Sequence, residues 1–351
     1  MEIIPDTELY RDLISLAEPY FKCRSLRIEP LKGDGSERRI VRIHSQKSDQ
    51  KPVVGVIHQN VIENRDFILL TDIFREAGLK APEIYLVNHG KTAYLMQDLG
   101  TSTLAEKVTD WKNENQGSKI IKAYKGVLDS LVKIQNDLPA NLGDFFRDRK
   151  MDVSVYQADL DYFKRDFIDR FGFQSLLTNA AVNDLQSILY QDLAHQGCDC
   201  FVYRDFQARN IMWLNDEPWF IDYQSAFLGP RYYDLSSLLY GSKSGLDGPV
   251  REELVAYFYQ QLELQNPEFE EFQRLFYLFV VLRRLRSLGT YGFLAGSKGK
   301  KVFLTNIAPT LKELSELFRS QSCLKSFSGL LEMVEGLKRT WKKQNLESDL
   351  G

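Results

Sequence analysis

Cysteine, histidine and long apolar runs are all in short supply in this chain. Its 351 residues include four cysteines and four histidines. Cys198 and Cys200 form a Cys-x-Cys pair, the wrong spacing for a zinc site, and so few histidines supply no ligand cluster. Free, mostly structural thiols in a reducing compartment are the expectation. No uncharged apolar run is long enough to span a bilayer. The first residues, MEIIPDTELYRDLISLAE, are acidic and interrupt their apolar run early, unlike a signal peptide, so a cytoplasmic location is expected. Charge of one sign is missing too. A net charge of -3 gives no electrostatic case for nucleic acid or an anionic membrane as partner, and Arg283, Arg284 and Arg286 read as a local feature. Internal repeats and low-complexity segments are not found. What remains is an ordinary globular composition, 44% hydrophobic and 26% charged, long enough for one large domain or two lobes.

Alternation and helical periodicity divide the chain. Residues 6–22 read as an amphipathic helix, with Asp6 or Thr7 as cap and Leu9, Leu13, Leu16 and Ala17 at helical spacing. SLRIEPLKGDGSERRIVRIHS alternates on both sides of a glycine turn and predicts a hairpin, with PVVGVIHQ as a third strand. The turn Gly33-Asp34-Gly35-Ser36 lets backbone amides approach a phosphate, with the Ser36 hydroxyl as a further donor, although Gly-x-Gly in a hairpin also serves simply as a turn. Asn64 to Ala77 is helical, with Phe67, Leu70, Ile73 and Phe74 on one face and Gly78 as the stop. EIYLVNH and TAYLMQDLG then read as a second hairpin. The change from β pattern to polar residues and glycine at Gln97-Asp98-Leu99-Gly100 marks an inter-lobe hinge. From Thr103 the chain is largely helical, with segments at 118–137, 159–171, 177–196, 233–240, 249–263, 267–287, 307–319 and 325–343 and a polar tail expected to fray.

The stretch from Phe201 to Leu239 breaks this helical half with three short strands, FVYRD, IMWL and WFIDY. Asn215-Asp216-Glu217-Pro218 turns the second into the third. Asp205, then Asn210 five residues on, then an apolar strand running into Asp222, is the minimal pattern of an ATP phosphotransferase. Such chemistry needs an aligned nucleophile and positive charge on the phosphates rather than covalent help. Asp205 is placed to orient or deprotonate an acceptor hydroxyl. Asn210 and Asp222 offer Mg2+ one neutral and one charged oxygen, a set that leaves room for phosphate and water. Trp219, Phe220 and Ile221 predict a buried strand, whose terminal carboxylate needs a cation nearby. Arg204 is expected in a loop-fixing ion pair. Asp234 either caps the helix that follows or braces the catalytic loop.

YRDFQARNIMWL, FIDYQSAFLGPRYYDLSSLL and the QDLG hinge resemble the aminoglycoside phosphotransferase/choline kinase superfamily. Within it they are most similar to the branch of bacterial N-acetylmuramate/N-acetylglucosamine anomeric kinases, from about Leu31 to Gly289. The resemblance implies an α+β, bilobal protein-kinase-like fold: a small antiparallel β-sheet lobe over residues 1–98 that binds nucleotide, and a larger, mostly helical lobe over 99–351 with the catalytic loop and acceptor site. It implies ATP with magnesium, and phosphate transfer to a hydroxyl of a small molecule. Asp205 becomes the catalytic base and Asn210 and Asp222 the magnesium ligands. Gly33, Gly35, Ser36, Gln97, Asp98 and Leu99 fall where the nucleotide binds. In the anomeric kinases the acceptor is the C1 hydroxyl of an N-acetylated amino sugar, and the product feeds cell-wall precursor recycling.

Gln224 reaches towards that acceptor or braces the loop. Arg283 and Arg286, matching a basic helix of the branch, hold a sugar carboxylate or phosphate unless they are a solvated helix face. Two positions depart from the superfamily. A histidine brace before the catalytic aspartate is replaced by Tyr203, which packs similarly. PVVGVIHQ has no lysine for the phosphates, a trait shared with the sugar-kinase branch, and Arg38, Arg39 and Arg42 are the available substitutes. Two other readings stay open: an acceptor such as an aminoglycoside or choline-like amine, with Asp159, Asp161, Asp166 and Asp169 as acidic lining, or a catalytically silent nucleotide-binding protein.

Overall fold

The computed structural model describes residues 10–31, 38–47, 50–139, 142, 145–262 and 267–348, the last four without their side chains. In chain order its strands are β1 (Leu26–Leu31), β2 (Arg39–Ser45), β3 (Val53–Ile57), β4 (Ile84–Val87), β5 (Ala93–Gln97), β6 (Cys200–Val202), β7 (Ile211–Leu214), β8 (Glu217–Phe220) and β9 (Phe227–Gly229). Its α-helices are α1 (Arg11–Phe21), α2 (Val61–Glu76), α3 (Leu104–Asn113), α4 (Gly117–Asp137), α5 (Val153–Phe163), α6 (Asn179–Ser187), α7 (Tyr232–Tyr240), α8 (Gly248–Gln261), α9 (Phe269–Gly296), α10 (Ile307–Ser320) and α11 (Ser328–Ser348). They gather into two compact units. One is Met1–Ser130 with Ala208–Ala226, and the other is Leu131–Gln207 with Phe227–Gly351. The units therefore do not divide at residue 98: α3, most of α4 and the β7–β8 hairpin cluster with the sheet.

The first unit is built on an antiparallel sheet ordered β1-β2-β3-β5-β4. Helix α1 sets Leu13, Ala17 and Phe21 into a core with Val41, Ile43, Val53, Ala93 and Leu95. On the opposite face of β5, Tyr94 stacks on Phe67 of α2 with ring centroids 5.7 Å apart. Strand β3 is thus covered on both sides, so it reads as a continuous apolar run rather than an alternation. Helix α2 starts one turn earlier than its periodicity suggested, because the Asn60 side chain caps it by accepting the Glu63 N–H at 3.2 Å. It stops at Gly78, as expected: φ is 73° there, and the Leu79 N–H turns back to the Phe74 carbonyl at 2.8 Å. The proposed cap residues Asp6 and Thr7 lie outside the described residues.

In the second unit α9 is the hub, buried on nearly every side from Phe272 to Gly292 and packed against α5, α7 and α10. Helix α5 runs on as a π-helical turn over Lys164–Asp169, and α6 does the same over Ile188–Leu193, so the two expected helices are present with widened ends. Gly292 lets α9 lie directly on the first of these turns, since a Cβ there would collide with the Asp166 carbonyl. Strand β9, too short to show a pattern in sequence, pairs antiparallel with β6.

The arginines of α9 overturn the solvated-face reading. Arg283 and Arg284 are buried, and Arg284 meets Glu313 at 2.8 Å, the Thr310 hydroxyl at 2.8 Å and the Tyr240 carbonyl at 2.9 Å. Guanidinium groups can be sunk this way because each planar fork finds several acceptors at once. All four cysteines are free thiols.

Candidate active site

In the first unit, the β7–β8 hairpin presents two of the expected residues. Asn215 and Asp216 turn it with φ of 54° and 59°, the left-handed pair that a tight hairpin needs. It is tied down at both edges, with the Trp213 N–H donating to the Ser102 carbonyl and the Phe220 N–H to the Lys80 carbonyl, each at 2.8 Å. Asn210 closes a short 3-10 turn just before β7, and Asp222 lies just beyond β8. Pairing of Ile211 with Phe220 brings them together, and Asn210 Nδ2 donates to Asp222 Oδ2 at 3.3 Å.

Asp222 collects further donors. Gln224 Nε2 gives it a hydrogen bond at 2.8 Å, and Arg38 Nη1 stands 3.7 Å from the same Oδ1. Gln224 thus braces the aspartate, and its own side chain is buried. Arg38 also donates to Glu63 Oε2 at 3.0 Å, which joins the start of α2 to this cluster. The buried carboxylate expected at the end of the strand is not found. Strand β8 ends at Phe220, the chain turns through Asp222 with φ of 72°, and its side chain is 41% exposed. Left-handed backbone is strained for an aspartate and persists only where neighbours fix it. The next residue supplies that fixing. Tyr223 is fully buried between Phe67 and Phe74, at ring distances of 5.1 and 4.5 Å, and its hydroxyl bonds that of Thr71 at 2.5 Å. Burial pushes its phenol well above the ordinary range.

Gln97, Asp98 and Leu99 are committed within this unit. The Gln97 side chain accepts the Glu83 N–H at 3.3 Å, and Leu99 is buried. Asp98 takes a bidentate bond from Arg42 at 2.5 and 3.0 Å and accepts the Gly100 N–H at 2.9 Å. That bond to Asp98 raises the Arg42 pKa further, against the effect of burial. Gly33, Gly35 and Ser36 lie outside the described residues.

In the second unit, Tyr203, Arg204 and Asp205 follow β6. Tyr203 is buried, its ring edge-on to Phe206 at 5.1 Å. Asp234, in the first turn of α7, is fully buried, and its two oxygens accept the N–H of Tyr203 at 2.6 Å and that of Arg204 at 3.0 Å. Its carboxylate therefore grips the loop rather than capping its own helix. Burial pushes its pKa up to about 7, against the pull of those two amides and of Arg283. Arg204 has φ of 78°, a second strained residue beside a motif aspartate, and the grip on its amide holds it there. Its guanidinium lies over the Phe227 ring at 5.1 Å, so the expected ion pair is replaced by an aromatic contact.

Asp205 is partly exposed, within electrostatic reach of Asp234 and Arg286. Arg286 Nε donates to Asp159 Oδ1 at 2.6 Å. Burial alone would lower its pKa, but Tyr233, Asp159 and Asp205 raise it on balance. Arg283 packs on the Tyr233 ring at 4.4 Å and donates to that hydroxyl. Of the acidic residues on α5 and its π turn, Asp159 is tied to Arg286, and Asp166 to Arg165 and Arg170, while Asp161 and Asp169 are exposed.

Sequence reasoning missed Glu63 and Thr71 as partners of this machinery, and it named Asp159 only as acidic lining, not as the partner of Arg286. Only Glu63 left a signal, the Asn60-x-x-Glu63 spacing of a capped helix start.

Residues 28–272 match the model of the phosphotransferase enzyme family, a span covering both carboxylate clusters. The chain belongs to that family. Two relatives of this phosphotransferase are N-acetylmuramate/N-acetylglucosamine kinases. The one from Pseudomonas putida is 24% identical over 72% of this chain and 76% of its own. The one from Pseudomonas aeruginosa is 23% identical over 87% and 91%. Among solved structures, the ADP-bound aminoglycoside phosphotransferase APH(2'')-Ib aligns with a TM-score of 0.57 at 14% identity, over 90% of this chain and 99% of that one. The kinase-like α+β fold expected from the motifs is therefore the fold of this phosphotransferase.

Proposed function

We propose that this phosphotransferase is an ATP- and magnesium-dependent kinase whose acceptor is a sugar hydroxyl, the anomeric hydroxyl of an N-acetylated amino sugar. The observation that carries the reading is that two relatives spanning most of the chain are kinases of N-acetylmuramate and N-acetylglucosamine. The site chemistry agrees with it. Magnesium takes one or two carboxylates and completes its shell with phosphate oxygens and water, and the adjoining Asn210 and Asp222 are a donor set of that kind. When bound, the ion offsets charge on the phosphoryl group in transfer.

Asp205 accepts the proton of the acceptor hydroxyl, Gln224 orients Asp222, and Asp234 fixes the loop that carries the base. The main chain of Gln97 to Leu99, with Gly33, Gly35 and Ser36, serves the nucleotide, so the unit built on the sheet acts as its lobe and the other unit holds the base and acceptor. Arg286 is the cation assigned to an acidic substituent of the acceptor; Arg283, sunk against Tyr233, is removed from that role. An amine acceptor is less well supported, because Asp166 is already paired with both Arg165 and Arg170.

The test is an acceptor screen with coupled ADP detection, comparing N-acetylglucosamine, N-acetylmuramate, aminoglycosides and choline. Turnover with the N-acetylated sugars and its loss in Asp205→Ala support the reading. Turnover only with an amine would replace it, and nucleotide binding with no turnover on any acceptor would make the protein catalytically silent.

A further inference from the structure

The strand that would carry a phosphate-binding lysine is apolar throughout here. Val54 and Val56 of β3 are both buried, and no cation comes from this strand. Three arginines at or next to β2 are available by position, and the structure separates them. Arg42 is locked bidentately on Asp98 and also donates to the Gly100 carbonyl at 3.2 Å. Arg39 is exposed, in register with Ile57. Arg38 alone of the three reaches the Asp222 cluster. Its side chain is 8% exposed, with Nη2 3.0 Å from Glu63 Oε2 and Nη1 3.7 Å from Asp222 Oδ1.

We propose that Arg38 is the group that holds the terminal phosphates of the nucleotide, with Glu63 of α2 setting its position. The inference rests on the kinase reading above. Asp222 and Asn210 would hold a magnesium ion that accompanies the nucleotide phosphates, which would bring those phosphates near Asp222. A guanidinium already 3.7 Å from that carboxylate is within reach of the same phosphates. Its planar fork carries five N–H donors in the geometry that suits phosphate oxygens.

The pairing of a cation with a carboxylate from the helix beside the sheet is what a kinase uses to place its lysine. Here the cation comes from the start of β2 rather than from β3. The longer arginine side chain suits that origin, and Glu63 is positioned by its own helix start, where Asn60 Nδ2 donates to its Oε1 at 3.3 Å. Mere neutralisation of Asp222 is a weaker account, because a carboxylate that is 41% exposed is already solvated.

The experiment measures magnesium-dependent binding of ATP, ADP and adenosine by calorimetry to the full chain, wild type against Arg38→Met, Arg38→Lys and Glu63→Gln. The wild type should bind ATP more tightly than adenosine. Arg38→Met should lose about 10- to 100-fold in ATP affinity, the range for one or two charge-assisted hydrogen bonds, with adenosine affinity unchanged. Arg38→Lys should recover part of the loss, and Glu63→Gln should weaken ATP more than adenosine. Unchanged ATP affinity in Arg38→Met, or equal losses for ATP and adenosine, overturns the proposal while leaving the kinase reading intact. If Arg38→Met does not fold, Arg38→Lys carries the test, and an ATP affinity equal to wild type with a raised adenosine affinity counts against it. A wild type that binds none of the three ligands overturns the kinase reading and this proposal together.

Discussion

Asp222 and Asp234 belong to one motif-rich stretch, yet the protein treats them in opposite ways. Asp222 is held outward on strained backbone, its carboxylate partly in solvent among side-chain donors from Asn210, Gln224 and Arg38. Asp234 is sunk completely and spends both oxygens on main-chain amides of a neighbouring loop. The first arrangement leaves a charged oxygen able to meet a cation. The second uses the charge to fix geometry, and burial raises the pKa of the group that does it. An aspartate in a catalytic motif is thus either presented or buried, and only its partners tell which.

The largest expected effects lie at Asp222 and at the base, Asp205. Asp205→Ala should lower turnover by about 10²–10⁴-fold, the usual worth of a positioned general base, with little change in nucleotide affinity. Asp222→Ala should abolish turnover to a similar degree and also remove the magnesium dependence of ATP binding. Steady-state kinetics with ATP titrations at several magnesium concentrations separate the two. Equal losses of nucleotide affinity would dissolve the division of labour between them.

The buried aspartate should show itself in pH dependence. Its pKa rises from the ordinary 3.8 to about 7 in the fold, so the folded chain holds that proton more tightly than the unfolded one. The resulting stability is full below about pH 4, declines as pH rises and is gone above about pH 7, with a ceiling of about 4 kcal/mol. Urea unfolding of wild type and Asp234→Asn across this range should show a difference that changes with pH in that direction. A constant difference would mean that the Tyr203 and Arg204 amides and Arg283 already balance the charge.

The smallest effect is expected beside Asp222. Tyr223→Phe keeps the ring stack with Phe67 and Phe74 and removes only the bond to Thr71, so it should cost about 1 kcal/mol in denaturant melts. A several-fold rise in the ATP KM at that modest cost would show that the hydroxyl also tunes the pose of Asp222.

The sheet strands, the α2 stop at Gly78 and the tight turn at Asn215-Asp216 were legible in sequence because local chemistry decides them: alternation, a left-handed glycine and a left-handed turn pair. The fate of the α9 arginines was not, since a charged helix face and a buried one look alike until Glu313, Asp159 and Tyr233 arrive from distant segments. The same holds for Asp222, whose exposure depends on where β8 lets go, and for Arg204, whose partner is the Phe227 ring. The choice among Arg38, Arg39 and Arg42 turned on contacts with Glu63 and Asp98, residues far along the chain.

The membership of Ala208–Ala226 in the first unit has a consequence for how the polypeptide matures. Until that segment leaves the ribosome, the ring faces of Phe67 and Phe74 have no Tyr223 to cover them. The amino-terminal sheet is therefore made early but finished late, after Leu131–Gln207 has been synthesised. A fragment ending at residue 130 would expose a greasy notch rather than behave as a self-sufficient module.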